Sequence, residues 1–293
     1  MSARPDDGVL LLAHGTVSNL EEIPQFLDRI RHGRPASPEL VAETRRRYAL
    51  IGHSPLLDVT NEQARALEAR LGIPVFVGMR LWEPSIAGAI ERASLRGVRR
   101  LCVLPVAPYS VHVYFRAAQQ AATGIPAAPE LVPVPPYGTH PALVRAHADA
   151  ILPSLQRAPA GSRLILTAHS LPTAALRAGD PYQEQVTASA RAVSERIARN
   201  AELAFQSQGA DGGDWLGPTL RAALEAARAA GNPGVVVAPF GFLAEHVETL
   251  YDLDHEARGW AEELALPFER VPALGTDAGL IDAFENLALA ALV

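Results

Sequence analysis

Short apolar runs alternate with longer amphipathic stretches along the chain. The apolar runs have the length and continuous hydrophobicity of buried strands: Val9–Ala13, Val75–Val77, Leu101–Val106, Leu131–Val134, Leu164–Thr167, Val235–Pro239 and Phe268–Val271. The longer stretches carry apolar residues at helical spacing: Asn61–Leu71, Glu83–Leu95, Pro141–Leu155, Asp180–Asn200, Thr219–Ala230 and Leu243–Leu264. Strands alternating with helices, with both faces of each strand apolar, predict an α/β fold with parallel sheets.

Two of the predicted strands end alike. One reads L-L-L-A-H and ends at His14, and the other reads I-L-T-A-H and ends at His169. Each histidine stands at the carboxyl end of a strand, where open parallel sheets bind ligands. Their separation by half the chain predicts two similar halves joined near Pro133–Pro141, a proline-rich loop segment. Chance similarity of two short strands remains the alternative.

Composition removes several classes of protein. All 26 basic residues are arginine, which excludes Schiff-base chemistry on lysine and a Walker A lysine. The net charge of −6 argues against a nucleic-acid partner. A single cysteine, Cys102, excludes intrachain disulfides and a four-cysteine iron–sulfur cluster. Because the chain shows neither a signal-peptide pattern nor an apolar run of about 18 residues, we expect no membrane span and a cytoplasmic location.

A row of carboxylates follows the predicted strand Val235–Pro239. Glu248, Asp252 and Glu256 are spaced i, i+4, i+8, which on an α-helix places them on one face over roughly 12 Å. A solvated acidic face is the simplest interpretation. The position of the row after a strand, with His246 and His255 beside it, favours delivery of a cation or removal of a proton. Crowding of these negative charges is expected to raise the pKa of at least one of them.

His169 is the second candidate. A histidine at a strand end commonly caps the next helix or is hydrogen-bonded in the core. Imidazole is also a common ligand of divalent transition metals and a base near neutral pH. His169 together with Glu248 would supply one nitrogen and one oxygen ligand and leave coordination positions open.

Several motifs connect the chain to a known family. They are L-L-L-A-H-G-T at the start, I-R-H-G-R-P (30–35), R-Y-A-L-I-G-H-S-P-L (47–56), V-G-M-R-L-W-E-P (77–84), T-A-H-S-L-P (167–172), G-D-P-Y (179–182), F-Q-S-Q-G (205–209), W-L-G-P (215–218) and G-F-L-A-E-H-V-E-T-L-Y-D-L-D (241–254). In this order they make the chain resemble the ferrochelatases, and most closely the coproporphyrin III ferrochelatases, over nearly its whole length.

The resemblance implies two Rossmann-like halves, each a parallel sheet flanked by helices, with a porphyrin cleft between them. The halves are expected at residues 1–136 and 137–276, with a C-terminal helix in residues 277–293 packing back on the first half. The implied activity is that of a lyase-type metal chelatase in haem biosynthesis, which inserts ferrous iron into coproporphyrin III to give coprohaem III.

The resemblance also implies roles for individual residues. His169 and Glu248 are expected to be catalytic and to bind the metal, and Asp252 and Glu256 to form a path for protons or metal. The expected porphyrin contacts are His14, Arg31, Arg47, Tyr48, Ser54 and Tyr114. His14 stands where the coproporphyrin branch usually has a tyrosine that reaches the metal position.

Partners and alternatives follow from the same resemblance. We expect no permanently bound cofactor and no iron–sulfur cluster, with ferrous iron as a substrate. A monomer is expected, with transient contacts to other enzymes of haem synthesis. The alternatives are a protoporphyrin IX ferrochelatase, a sirohydrochlorin-type cobaltochelatase, and a non-catalytic carrier of porphyrin or haem. Whether the acidic row carries iron inward or protons outward is left open.

Overall fold

The chain folds into two compact units. The computed structural model describes residues 4–31, 33–209 and 213–292. The first unit contains the residues up to Pro136 and those from Gly275 onward, and the second is Tyr137–Leu274. Within the described residues, each unit is built around one four-stranded parallel sheet with helices packed against it.

The sheet of the first unit has the strand order β2-β1-β3-β4. Its strands are β1 (Asp7–Ala13), β2 (Val75–Met79), β3 (Arg100–Pro105) and β4 (Glu130–Pro133). The helices are α1 (Ile23–Ile30), which follows a 3₁₀ turn at Leu20–Glu22, α2 (Pro38–Ile51), α3 (Leu56–Leu71), α4 (Ile86–Leu95), α5 (Val111–Ala122) and the last helix of the chain, α12 (Ala278–Leu292).

The sheet of the second unit has the order β6-β5-β7-β8. Its strands are β5 (Arg163–His169), β6 (Ala201–Gln206), β7 (Val235–Ala238) and β8 (Phe268–Arg270). The helices are α6 (Pro141–Arg157), α7 (Thr173–Arg177), α8 (Tyr182–Ile197), α9 (Leu220–Ala229), α10 (Val247–Tyr251) and α11 (Arg258–Glu263), with a π-helical segment at Asp252–Ala257 joining the last two.

The two sheets share one topology. In each, the first strand in sequence is central, with the second strand on one side and the third and fourth on the other. The two similar strands of the sequence, β1 and β5, occupy equivalent positions, so His14 follows β1 directly and His169 ends β5. The predicted α/β class with two similar halves is therefore confirmed.

The apolar strands form the core of each unit, because helices cover both faces of the sheet and bury the strand side chains on each face. In the first unit Leu10 and Leu12 pack with residues of α4 and with Leu101 and Val103. In the second, Ile165, Val235 and Val237 pack with α9 and with Leu253 of the π-helical segment. The side chain of Leu253 anchors this segment, so its other residues are held at a defined place beside the sheet.

Helix α12 packs on α3 and β3 of the first unit. Its side chains Leu280, Ile281 and Phe284 are buried. The buried carboxylate of Asp7 pairs with Arg100, whose guanidinium also donates to the backbone carbonyl of Leu292. These contacts join both ends of the described chain in one unit.

Some elements differ from the sequence expectation. The helix predicted at Leu243–Leu264 starts later, at Val247, and contains the π-helical segment. Strand β6 was not predicted, because its six residues include Glu202 and continue directly from a helical pattern. Helices α1, α2 and α5 were not assigned from periodicity either.

Candidate active site

The carboxyl edge of the second sheet brings the predicted catalytic residues together. His169 is the last residue of β5 and Gln206 the last residue of β6, and these two are register partners. The chain leaving β7 crosses toward β5 before α10 begins. It places the Oε1 atom of Glu248 3.5 Å from the Nε2 atom of His169. The two residues are 79 positions apart in sequence, so the sheet topology creates this pair.

Gly241 allows the loop after β7 to pass this close to β5. Its N–H donates to the carbonyl of Thr167 at 3.0 Å. A Cβ atom at position 241 would lie 2.7 Å from both the Cα and the Cβ of Ala168. Only glycine fits this crossing without displacement of the strand end that carries His169.

Glu248 lies between two histidines. Its Oε2 atom is 3.4 Å from the Nε2 atom of His246, on the side opposite His169. The side chains of His169 and Glu248 remain 34% and 31% exposed, so a ligand can reach them. The backbone around them is held by polar side chains: Tyr182 Oη donates to the carbonyl of His169, and Gln206 Nε2 to the carbonyl of Glu248.

The electrostatics of this cluster differ from the sequence expectation. Burial alone would raise the pKa of Glu248, but the charges and hydrogen bonds of His169 and His246 hold it well below its usual range. Burial would lower the pKa of His169, and Glu248, the Ser170 carbonyl and Asp252 together raise it. Glu248 is thus an ionised carboxylate beside a histidine that favours its charged form.

The acidic row continues from Glu248 into the π-helical segment. Asp252 is buried and accepts a hydrogen bond from Ser207 Oγ, on the residue that follows β6. Glu256 is half-buried near the end of the same segment. π-Helical turns are uncommon and occur often at functional sites. The acidic row therefore starts at Glu248, beside His169 and His246, and continues through the π-helical segment.

The predicted porphyrin contacts lie in the first unit. His14 is exposed and directly follows β1, and its carbonyl accepts from the N–H of Leu81. Tyr48 is buried on α2, with its hydroxyl 3.0 Å from Thr16 Oγ1 in the loop after β1. Ser54 is also buried, and its Oγ has no hydrogen-bond partner among the described residues. The structure therefore links α2 to the loop that carries His14.

The other three predicted porphyrin contacts, Arg47, Arg31 and Tyr114, lie on or next to helices of the first unit. Arg47 donates through Nε to Glu43, and Arg46 binds the same carboxylate, so the pKa of Glu43 falls to about 2. Arg31 caps the carboxyl end of α1, and its Nε donates to the carbonyl of Arg34. Tyr114 lies on α5 and packs partly buried against the core of the first unit.

Sequence reasoning missed several residues that support this site. His246 was noted only as a neighbour of the acidic row, although it contacts Glu248 directly. Gln206 and Ser207 belong to the family motif F-Q-S-Q-G (205–209), but the sequence predicts no contact for them because it does not predict the strand that ends at Gln206. The polar pair Gln206-Ser207 at the end of an apolar run was the signal that could have indicated them.

The described residues contain neither a metal-holding cluster of side chains nor a membrane-spanning helix. Across 4–31, 33–209 and 213–292, no group of three or more histidine, cysteine, aspartate or glutamate side chains is arranged to hold a metal ion. Over the same ranges no helix has the length and apolar character needed to cross a bilayer. The polar side chains that converge at this edge of the sheet are those of His169, Glu248 and His246.

Comparison with known proteins identifies the family. The sequence pattern of the ferrochelatases matches residues 6–292. This chain belongs to the ferrochelatase family. A ferrochelatase of Thermus thermophilus is 34% identical over 312 residues, which cover 97% of this chain and 98% of that protein. A coproporphyrin III ferrochelatase of Mycobacterium avium is 35% identical over 275 residues, which cover 90% of this chain and 82% of that protein.

Solved structures agree with this fold. SirB from Bacillus subtilis, determined with Fe³⁺, superimposes with a TM-score of 0.64 at 14% identity and covers 98% of this chain and 96% of its own. CbiX, described as the terminal enzyme of sirohaem biosynthesis in denitrifying bacteria, gives a TM-score of 0.54 at 17% identity, with 98% and 100% coverage. As a ferrochelatase, the chain is a lyase-type metal chelatase that inserts metal into a porphyrin, a step of haem biosynthesis.

Proposed function

We propose that this ferrochelatase inserts ferrous iron into coproporphyrin III and forms coprohaem III. The observation that carries the choice of substrate is the similarity, at 35% identity over 90% of the chain, to a relative named for coproporphyrin III. Coproporphyrin has four propionates, two more than protoporphyrin. An enzyme for the more anionic porphyrin needs several donors for carboxylates, which arginine and hydroxyl side chains provide.

The first unit supplies such donors. Arg31, Arg47, Tyr48 and Ser54 are the proposed propionate contacts, and His14 and Tyr114 the proposed contacts to the ring. The buried Ser54 hydroxyl, which lacks a hydrogen-bond partner among the described residues, suits a propionate oxygen as acceptor. Glu43 orients Arg47 through a 2.8 Å hydrogen bond, so this guanidinium is held in place before a substrate arrives.

Metal insertion requires removal of two pyrrole protons. The free porphyrin carries two N–H groups in a flat, stiff ring, and Fe²⁺ replaces both protons. A protein that favours a buckled ring lowers the barrier because the buckled shape is that of the transition state. A base beside the ring centre must then accept the protons.

In this proposal His169 and Glu248 are the catalytic residues. Glu248 is ionised and attracts the incoming cation, and together with His169 it offers one oxygen and one nitrogen ligand 3.5 Å apart. The approach of Fe²⁺ disfavours the charged imidazolium, so His169, whose side chain is partly exposed, gives its proton to water, and its Nε2 becomes free to bind the metal or to accept a pyrrole proton. Asp252 and Glu256 extend the acidic row and would carry iron inward or protons outward.

A second candidate is the same reaction on protoporphyrin IX. The relatives from Thermus thermophilus and Acidobacterium capsulatum carry only the general name ferrochelatase, at 34% and 33% identity over 97% of this chain. These matches are as strong as those to the coproporphyrin III enzymes. The substrate therefore has to be decided by turnover.

Anaerobic insertion of ferrous iron, followed by porphyrin absorbance, tests the proposal with coproporphyrin III and protoporphyrin IX in parallel. Faster turnover of coproporphyrin III is the expected result. A preference for protoporphyrin IX would replace the proposed substrate and keep the reaction. Tight porphyrin binding without turnover of either would contradict the proposal, and sirohydrochlorin with cobalt would then separate a cobaltochelatase from a carrier.

A further inference from the structure

A largely buried ion pair lies beside the segment that carries His246 and Glu248. Its two residues are not among the proposed catalytic residues. Arg270, the last residue of β8, binds Glu245 through both ends of its guanidinium, with Nη1–Oε1 at 2.6 Å and Nη2–Oε2 at 2.8 Å. Their side chains are only 10% and 20% exposed. A two-point contact between arginine and carboxylate at this burial fixes the orientation of both groups.

The carboxylate of Glu245 connects this pair to the catalytic residues. Its Oε2 accepts from Thr249 Oγ1 at 2.5 Å, and its Oε1 accepts from the N–H of Ala273 at 2.8 Å. Thr249 Oγ1 in turn accepts from the N–H of His246 at 3.0 Å. The turn that presents His246 and Glu248 is therefore held through Thr249 by Glu245.

The guanidinium of Arg270 also contacts the π-helical segment that continues the acidic row. Its Nε atom is 3.2 Å from Asp254 Oδ1 in the π-helical segment, two residues beyond Asp252. Arg270 also approaches the carbonyl of Thr249, at 3.5 Å from Nη2. One side chain from the edge strand thus contacts both the turn before Glu248 and the segment that contains Asp252.

We propose that Arg270 and Glu245 are positioning residues for metal insertion, which hold the turn of His246 and Glu248 in register with the π-helical segment. A charged pair at this burial is a weak source of stability, because desolvation offsets much of the attraction. The pair instead fixes geometry, because the planar guanidinium of Arg270 contacts both Glu245 and Asp254 of the π-helical segment. This inference rests on the metal-insertion activity and not on which porphyrin is used.

The test compares steady-state kinetics of Arg270→Met, Arg270→Lys and Glu245→Gln with the wild-type chain, using whichever porphyrin the wild type converts faster. A matched control is Arg163→Met. Arg163 pairs with Glu202 at 2.9 Å across the same sheet, at the amino end of β5, away from His169. Unfolding midpoints and porphyrin affinity are measured for every variant.

A positioning role predicts that Arg270→Met lowers kcat by about 10- to 100-fold, the usual loss when a partner behind a metal-binding residue is removed. The KM for porphyrin is expected to stay within about twofold, because the pair acts on the turn rather than on the ring. Arg270→Lys should retain part of the rate, and Arg163→Met should keep the wild-type kcat.

A folded Arg270→Met protein with kcat within about twofold of wild type would overturn the inference. Equal losses in Arg270→Met and Arg163→Met would overturn it as well, because they would indicate a general effect on the sheet. If Arg270→Met does not fold, Arg270→Lys and Glu245→Gln decide by the same criteria. Absence of turnover in the wild type itself would instead count against the proposed function.

Discussion

The Nε2 atom of His169 lies 3.5 Å from the Oε1 atom of Glu248, although His169 ends strand β5 and Glu248 lies in helix α10. Their charges support each other: the carboxylate raises the pKa of the imidazole against the effect of burial, and the imidazole lowers that of the carboxylate. This pair stabilises the fold most between pH 4.5 and 6.5. The stabilisation is lost as the pH rises from 6.5 through the raised pKa of His169, and as it falls from 4.5 through the lowered pKa of Glu248.

Neutralising the carboxylate should therefore change the titration of its neighbour. In Glu248→Gln, the effect of burial on His169 is opposed only by Asp252 and the Ser170 carbonyl, so the pKa of His169 falls. Titration of the histidine ring signals by NMR measures this shift. His140, which stands at the start of α6 and whose pKa is lowered by burial and by Arg145, provides the control signal and should not move. A His169 pKa that is unchanged in the variant would contradict the described coupling.

Replacing Gly241 by alanine should distort the site. The new Cβ would overlap Ala168, the residue before His169, so the loop or the strand end must shift. We expect a loss of about 1 to 3 kcal/mol in the free energy of unfolding, together with reduced turnover. Denaturant unfolding and the insertion assay measure both effects.

Gly259→Ala is the matched control for that variant. Gly259 lies in α11, and a Cβ there would meet nothing within 4 Å. Helix propensity predicts unchanged or slightly increased stability, by up to about 1 kcal/mol. If both variants lost the same stability, the close crossing at Gly241 would not be the cause.

Ser207 is expected to hold Asp252 in the acidic row. Ser207→Ala removes the hydroxyl that donates to this buried carboxylate. If Asp252 conducts protons or iron, kcat should fall by about 10-fold while porphyrin affinity is kept. Ser194→Ala, which removes a hydroxyl bonded to a helix carbonyl on α8, should leave kcat unchanged. Equal rates in Ser207→Ala and wild type would argue against a role for this contact.

His147 should make the fold sensitive to acid. It is buried on α6 against Phe240, and burial lowers its pKa from 6.5 to about 4. Between these pH values the unfolded chain binds a proton that the folded chain does not, so the free energy of unfolding decreases as the pH is lowered. At pH 5 the loss is about 2 kcal/mol. His147→Leu removes this contribution.

Urea unfolding at pH 7.5 and at pH 5.0 measures the difference. The wild-type chain should lose about 2 kcal/mol more than His147→Leu over this interval. Equal losses of unfolding free energy in the wild-type chain and His147→Leu would show that a group other than His147 causes the acid sensitivity.

The sequence indicates the fold more fully than the site. The continuous apolar runs of β1 and β5 are recognisable because both faces of these strands are buried, and their terminal histidines mark the ligand-binding edge. Strand β6 is hidden because it includes Glu202 and continues directly from a helical pattern, so the contacts of Gln206 and Ser207 at its end are not predicted. A regular helical spacing also gives no sign of the π-helical segment at Asp252–Ala257, because that depends on a backbone hydrogen-bond shift.

The electrostatics of Glu248 illustrate the same limit. From sequence, only the repulsion within the acidic row is visible, and it predicts a raised pKa. In the structure His169 and His246 flank the carboxylate and reverse the direction. The first of these contacts joins the end of strand β5 to helix α10, which local spacing in the sequence cannot reveal.

The most direct test of the account is the turnover of Glu248→Gln. The substitution preserves shape and removes the negative charge proposed to attract and bind the incoming cation. We expect porphyrin binding to be kept and iron insertion to fall by about 100-fold or more, the usual loss when a fixed electrostatic group at the reacting centre is removed. Glu225→Gln, on the exposed side of α9, should retain wild-type turnover. Near wild-type iron insertion by Glu248→Gln would contradict the central role of this carboxylate.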